Sequence, residues 1–242
     1  MMKRLKKFMF SPKGTIAAFG AAVVLLLLSS AGGARAALTY YSENHETSIE
    51  TQAIGVSLVE EGGVTVASRS SSGDQDGKGT LALPAINAEG TDGKAKVGAT
   101  YAENLSVRNS GQIDQYVRVT IYKNWKKGGE TQRDLNPRDY IELAYADGWT
   151  EDTSASTLER TVLYYTGGPL ASGASVPVVK SIRINPEVSK VVKLDGTYSY
   201  QDCSFEVSVE VDAVQTHNAE DAILSAWGKT VTVNGDGSLT LN

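Results

Sequence analysis

The chain has 242 residues, 23 basic and 28 acidic, with a formal net charge of −5 and a single cysteine. This acidic balance argues against nucleic acid and anionic membrane surfaces as partners, since both select clustered Lys and Arg. One thiol, Cys203, cannot close an internal disulfide, so a hydrophobic core has to hold the fold; just ahead of an apolar run, it reads as a small buried residue.

Residues 1–36 read as a secretory signal peptide. Lys3, Arg4, Lys6, Lys7 and Lys13 precede an apolar run from Thr15 to Leu28, followed by small residues ending in Ala34-Arg35-Ala36. A basic start, a short apolar middle and an Ala-x-Ala site are the marks of a cleaved leader, with cleavage between Ala36 and Ala37. The rival is an uncleaved anchor, for which the apolar run is short against the roughly 20 residues that span a bilayer. Residues 1–36 carry six of the basic residues and none of the acidic ones, so without them 206 residues remain with a formal charge of −11. That length suits one sandwich domain or two small ones. The expected localisation is secreted, in the extracellular matrix or at the cell surface, with the membrane met only through the leader.

Residues 37–50 open β-prone, with Leu38, Tyr40 and Tyr41, and turn polar afterwards. The body is expected over residues 51–242. Its first strand lies in Thr51 to Val59, where Ile54, Val56 and Leu58 alternate, and Val64-Thr65-Val66 makes a second. Ser68 to Gly79 is polar and rich in Gly and Ser, which predicts a mobile loop. A short strand is expected around Leu81-x-Leu83, ended by Pro84, with another loop over Asn87 to Lys94. The central stretch, Asn104 to Trp125, holds two alternating runs, Leu105-x-Val107 and Val117-x-Val119-x-Ile121, around Asn109-Ser110-Gly111. It predicts strand, turn and strand, with one face in a core and the other, carrying Arg118 and Thr120, wet.

Lys123 to Arg138 reads as a charged, solvated loop. Strands follow over Tyr140 to Tyr145, Thr161 to Tyr165 and Val176 to Ile184, with Pro186 as a stop. Phe205-x-Val207-x-Val209-x-Val211, with acids or Ser on its outer face, is a second such strand and, with the central run, the candidate centre of a β-sandwich. Asn218 as N-cap, Glu220 and Asp221 in the first turn and Gly228 as a stop predict a helix, with Trp227 plugging one end of the core. A hairpin over Thr230 to Leu241 closes the chain. The expected class is all-β, a jelly-roll-like antiparallel β-sandwich with one short helix near the C-terminus.

No local pattern supports catalysis, metal or cofactor binding. His45 and His217 form no His-Glu-x-x-His pattern. Asp74-x-Asp76-Gly77 lacks the later ligands of a calcium loop, and Cys203 has no arranged base.

Four stretches, in order, resemble the TasA/camelysin family of secreted biofilm-matrix and fibre-forming proteins of Gram-positive bacteria. They are Ala36 to Ser42; Gln52 to Leu58; Leu105 to Gly111 with Asp114 to Val119; and Val211 to Asn218, reaching Ala226-Trp227. The resemblance implies a jelly roll whose copies join by donor-strand exchange, with a signal peptidase and other copies or related matrix subunits as partners. Leu38, Tyr40 and Tyr41 would fill the acceptor groove. A monomeric surface adhesin or accessory matrix protein stands as the alternative. Camelysin has also been described as a metalloprotease, though the zinc-ligand cluster that activity needs is not recognisable here.

Overall fold

A computed structural model describes residues 16, 19–24, 53–70, 76–90 and 94–242. The chain divides into two units, Met1–Glu50 and Thr51–Asn242. In the first, the described residues are helical and exposed. The expected cleavage residues Ala34, Ala36 and Ala37, the donor residues Leu38, Tyr40 and Tyr41, and His45 lie outside the described residues.

The second unit is an all-β sandwich. Its first sheet runs β2 (Val64–Ser70), β1 (Gly55–Glu60), β4 (Thr100–Asn109), β10 (Ser175–Ile184) and β7 (Ile141–Tyr145). The second runs β3 (Lys78–Thr80), β11 (Ser204–Gln215), β5 (Gln115–Lys127), β9 (Arg160–Tyr165) and β8 (Trp149–Glu151), with β6 (Glu130–Thr131) added beside β5. Every strand pair is antiparallel. The chain changes sheet at most connections, a jelly-roll-like path. Thus β4 and β5, on either side of Asn109-Ser110-Gly111, belong to opposite sheets rather than to one hairpin.

The spine is β5 with β11, paired over twelve residues from Ser204↔Lys126 to Gln215↔Gln115. Alternation sends Val117, Val119 and Ile121 of β5 and Val207, Val209 and Val211 of β11 into the gap between the sheets, where all are buried. Each such side chain contributes about 1.5–3 kcal/mol of burial. Phe205, at the end of the same row, is only partly buried and packs against Trp125, ring centroids 6.0 Å apart.

Several expected loops are ordered instead. Lys123 to Lys127 completes β5, and Trp125 is buried with its indole N–H donating to the Asn136 carbonyl at 3.1 Å. Tyr200 packs edge-on against Trp125 at 5.0 Å and accepts the Asn136 N–H, tying the segment down. The polar run after Val66 stays in β2 as far as Ser70. There Gly79 lies so close that a Cβ would sit 1.7 Å from the Val66 carbonyl, so this seam between the sheets admits only glycine. Leu81 to Leu83 is not a strand; β3 ends at Thr80, and Pro84 begins helix α1 (Pro84–Glu89) rather than ending an element. Helix α2 (Pro137–Tyr140) is capped by the Asn136 side chain, which accepts the Asp139 N–H.

The outer face of the second sheet is covered at one end rather than wet throughout. Tyr116, Val162, Tyr164 and Val214 form a second apolar cluster there, covered by helix α3 (Ala219–Trp227) and the hairpin β12 (Val231–Val233) and β13 (Leu239–Leu241). Trp227 belongs to this outer cluster and does not plug the main core. It meets Tyr164 edge-on at 5.5 Å, and the Arg118 guanidinium lies 5.2 Å from its ring centroid. Asn218 precedes α3 in the left-handed region, φ 48°, with no side-chain cap bond, so the helix starts without the expected N-cap. Gly228 ends it at φ 68°, donating its N–H to Leu224.

Candidate assembly site

The best-tied polar region is where the chain enters the sandwich. The carbonyl of Gly55, first residue of β1, accepts three N–H groups: Ser110 at 3.0 Å, Gly111 at 2.9 Å and the Gln115 side-chain amide at 2.6 Å. Two residues earlier, the Ala53 carbonyl accepts the Gln112 N–H at 3.0 Å. A Cβ on Gly111 would come within 2.6 Å of both Ala53 O and Gly55 N, so the backbones are in direct contact.

Asn109 and Gln115 hold this clamp from inside, and both are 0% exposed. The Asn109 amide donates to Ile113 and Leu170 carbonyls, each at 2.8 Å, and its oxygen accepts the Gly111 N–H at 2.9 Å. The Gln115 backbone exchanges N–H and C=O with Leu170. The turn between β4 and β5 is therefore fixed to both the loop before β10 and the root of β1. Three of the stretches that carry the resemblance meet at this end, since Gln115–Val119 of β5 pairs with Val211–Gln215 of β11 and Gly55 docks on the turn.

The same end offers an open edge. On the side away from β5, β11 is paired by β3 only at Ser208–Glu210, with one further bond at each end, Leu81 N–H to Val207 and Val211 N–H to Gly77. Among the described residues no strand pairs with Asp212–Gln215 on that side. Arg69 bridges to Glu210 and Asp212 at 3.2 and 3.1 Å, stapling β2 across the seam.

Glu103 and Lys123 lie inside the sandwich, with Glu60 beside the first. Glu103 of β4 is 0% exposed, and among the described residues its oxygens meet no N–H or hydroxyl donor and share a hydrogen bond with the Glu60 carboxyl group alone. Burial first, then the neighbouring Glu60 carboxylate, pushes its pKa up to about 8. Glu60, also buried, accepts the N–H groups of Ala82 at 3.0 Å and Leu83 at 2.7 Å. On the other side, Lys123 donates its ammonium to the Arg138 and Ile141 carbonyls at 3.1 and 2.7 Å, and burial brings its pKa down to about 8. Both residues continue inward-facing rows, Tyr101-x-Glu103-x-Leu105 and Val119-x-Ile121-x-Lys123. Extending those alternations by one step would have found them.

The outer face of the first sheet carries a shallow polar groove of about 430 Å³, lined among others by Ser57, Thr65, Ser106, Arg108 and Ser175. Cys203 is half-buried, and burial raises its pKa, which disfavours the thiolate. His217 is exposed. Among the described residues, no group of three or more His, Cys, Asp or Glu side chains could hold a metal ion, and no helix is long and apolar enough to cross a membrane. Comparisons of the chain with protein-family models, with curated proteins and with solved structures find no match.

Proposed function

We propose that this chain is a secreted, non-enzymatic structural subunit of an extracellular or biofilm matrix, resembling the TasA/camelysin family, whose copies join through the N-terminal segment, residues 37–50. The observation that carries the reading is the clamp at Gly55. Three donors on one carbonyl, backed by two buried amides, fix the point from which that segment leaves the body. A β-prone segment at a rigid root, carrying Leu38, Tyr40 and Tyr41, is suited to completing a sheet in another copy. The side of Asp212–Gln215 away from β5, where no strand pairs among the described residues, is the kind of edge to which such a strand adds, by hydrogen bonds that need no particular side chain. A head-to-tail contact of this sort that does not close yields a filament.

The test is electron microscopy with size-exclusion chromatography on protein beginning at Ala37, beside protein beginning at Thr51. Filaments from the longer form alone support strand exchange. Monomers from both overturn it and favour a second reading, a monomeric surface adhesin or accessory matrix protein, for which the polar groove beside Arg108 is the available face.

A further inference from the structure

The Glu60–Glu103 pair takes no part in the clamp, yet it joins elements that are distant in sequence at the opposite end of β1. We propose that this acid pair is a proton-operated latch that holds residues 81–89 against the edge of β11.

The held segment depends on Glu60. Leu83 sits in the left-handed region at φ 52°, a conformation unfavourable for a residue with a Cβ. Helix α1 starts at Pro84 with no cap bond from its own side chains. The Glu60 carboxylate supplies what the segment lacks, accepting both the Ala82 and Leu83 N–H groups. Leu81 then donates to the Val207 carbonyl, the last rung between this segment and β11.

Glu103 decides whether the Glu60 side chain can stay inside. The two carboxylates come from adjacent strands of one sheet, and a dry interior accommodates one negative charge between them far better than two. The other groups around Glu103 offer no relief. Glu61, in the turn after β1, is a second acid acting on it, and α1, which packs on β4, turns the apolar Ile86 inward. Tyr101, two residues along the same face, has its hydroxyl taken by the Lys96 N–H at 2.8 Å. While Glu103 keeps its proton, Glu60 holds the loop. When Glu103 loses it, two buried anions face each other. Glu60, at the end of its strand beside Gly62 and Gly63, is the one able to swing out, and it lets go of Ala82 and Leu83. The pKa of Glu103 places this release in the mildly alkaline range. The latch stands independently of the assembly reading.

Hydrogen exchange on the full chain, compared as protection factors at about pH 7 and about pH 9.5, tests it. The expected result is a loss of protection of about tenfold or more at residues 82–90 on going to the higher pH, with the amides of β5 unchanged. Glu103→Gln, neutral at both values, should hold the segment protected throughout. Protection that does not fall in the wild type, or that falls equally in Glu103→Gln, overturns the proposal. A carbon-13 titration of the wild-type carboxyl groups gives an answer that does not depend on the variant folding. Glu103 losing its proton below about pH 6 would sink the latch, and a midpoint near 8 supports it.

Discussion

Asn109 uses both ends of its side-chain amide inside the molecule, on three partners that belong to two loops. Truncating it removes three hydrogen bonds, each worth about 0.5–1.5 kcal/mol net; the Gly111 N–H keeps the Gly55 carbonyl and the Leu170 carbonyl keeps the Gln115 N–H, while the Ile113 carbonyl loses its bond to Asn109. Asn109→Ala should therefore lose about 2–4 kcal/mol of stability in urea unfolding; a loss under about 0.5 kcal/mol would show that water takes over the bonds. The sequence marks Asn109-Ser110-Gly111 as a turn, and the turn is there. Its second role, gripping Gly55, depends on a contact between residues more than fifty positions apart, which spacing along the chain does not encode. Glu103 and Lys123 were legible by their phase. Their charge suggested solvent, whereas the alternation of their neighbours placed them inside.

At the scale of elements, the strands with the cleanest alternation are those the sheets are built on, β4, β5, β10 and β11. The short edge strands were misjudged. β3 is three residues of Lys-Gly-Thr that pair with β11, and Gly79 lets it lie against the Val66 backbone of β2, a steric permission rather than a propensity. The outer face of β5 was read as wet because Arg118 and Thr120 lie on it. However, Tyr116 lies on that face too, and Val162, Tyr164 and Val214 extend it across neighbouring strands into a surface that needs covering. Helix α3 supplies the cover, and Trp227 is its largest contact. Trp227→Ala should cost about 2–3 kcal/mol, below the range for a fully buried tryptophan because the ring is only half-buried. Near-UV circular dichroism should change through Tyr164 while the far-UV strand signal persists. Loss of the far-UV signal would mean that the helix is essential to the sandwich itself.

For the whole molecule, the two interior charges shape stability in opposite pH windows. Between the ordinary Glu value of 4.5 and about 8, the folded chain keeps a Glu103 proton that the unfolded chain has released, so stability falls as pH rises. Between about 8 and 10.5, the folded chain has released a Lys123 proton that the unfolded chain keeps, so stability rises again. Urea unfolding of wild type against Glu103→Gln should show a gap that widens by roughly 1.4 kcal/mol per pH unit at most across the first window and then levels. Parallel curves would mean that Glu103 ionises alike in both states. The clamp also has a mechanical consequence. Gly55 begins a strand flanked on both sides, by β2 and by β4. Tension pulled through residues 37–52 would run lengthwise into β1, where two ladders of hydrogen bonds bear it together in shear instead of opening one at a time like a zip. A pull on the Gly55 end of β1 is thus resisted by both neighbouring strands at once.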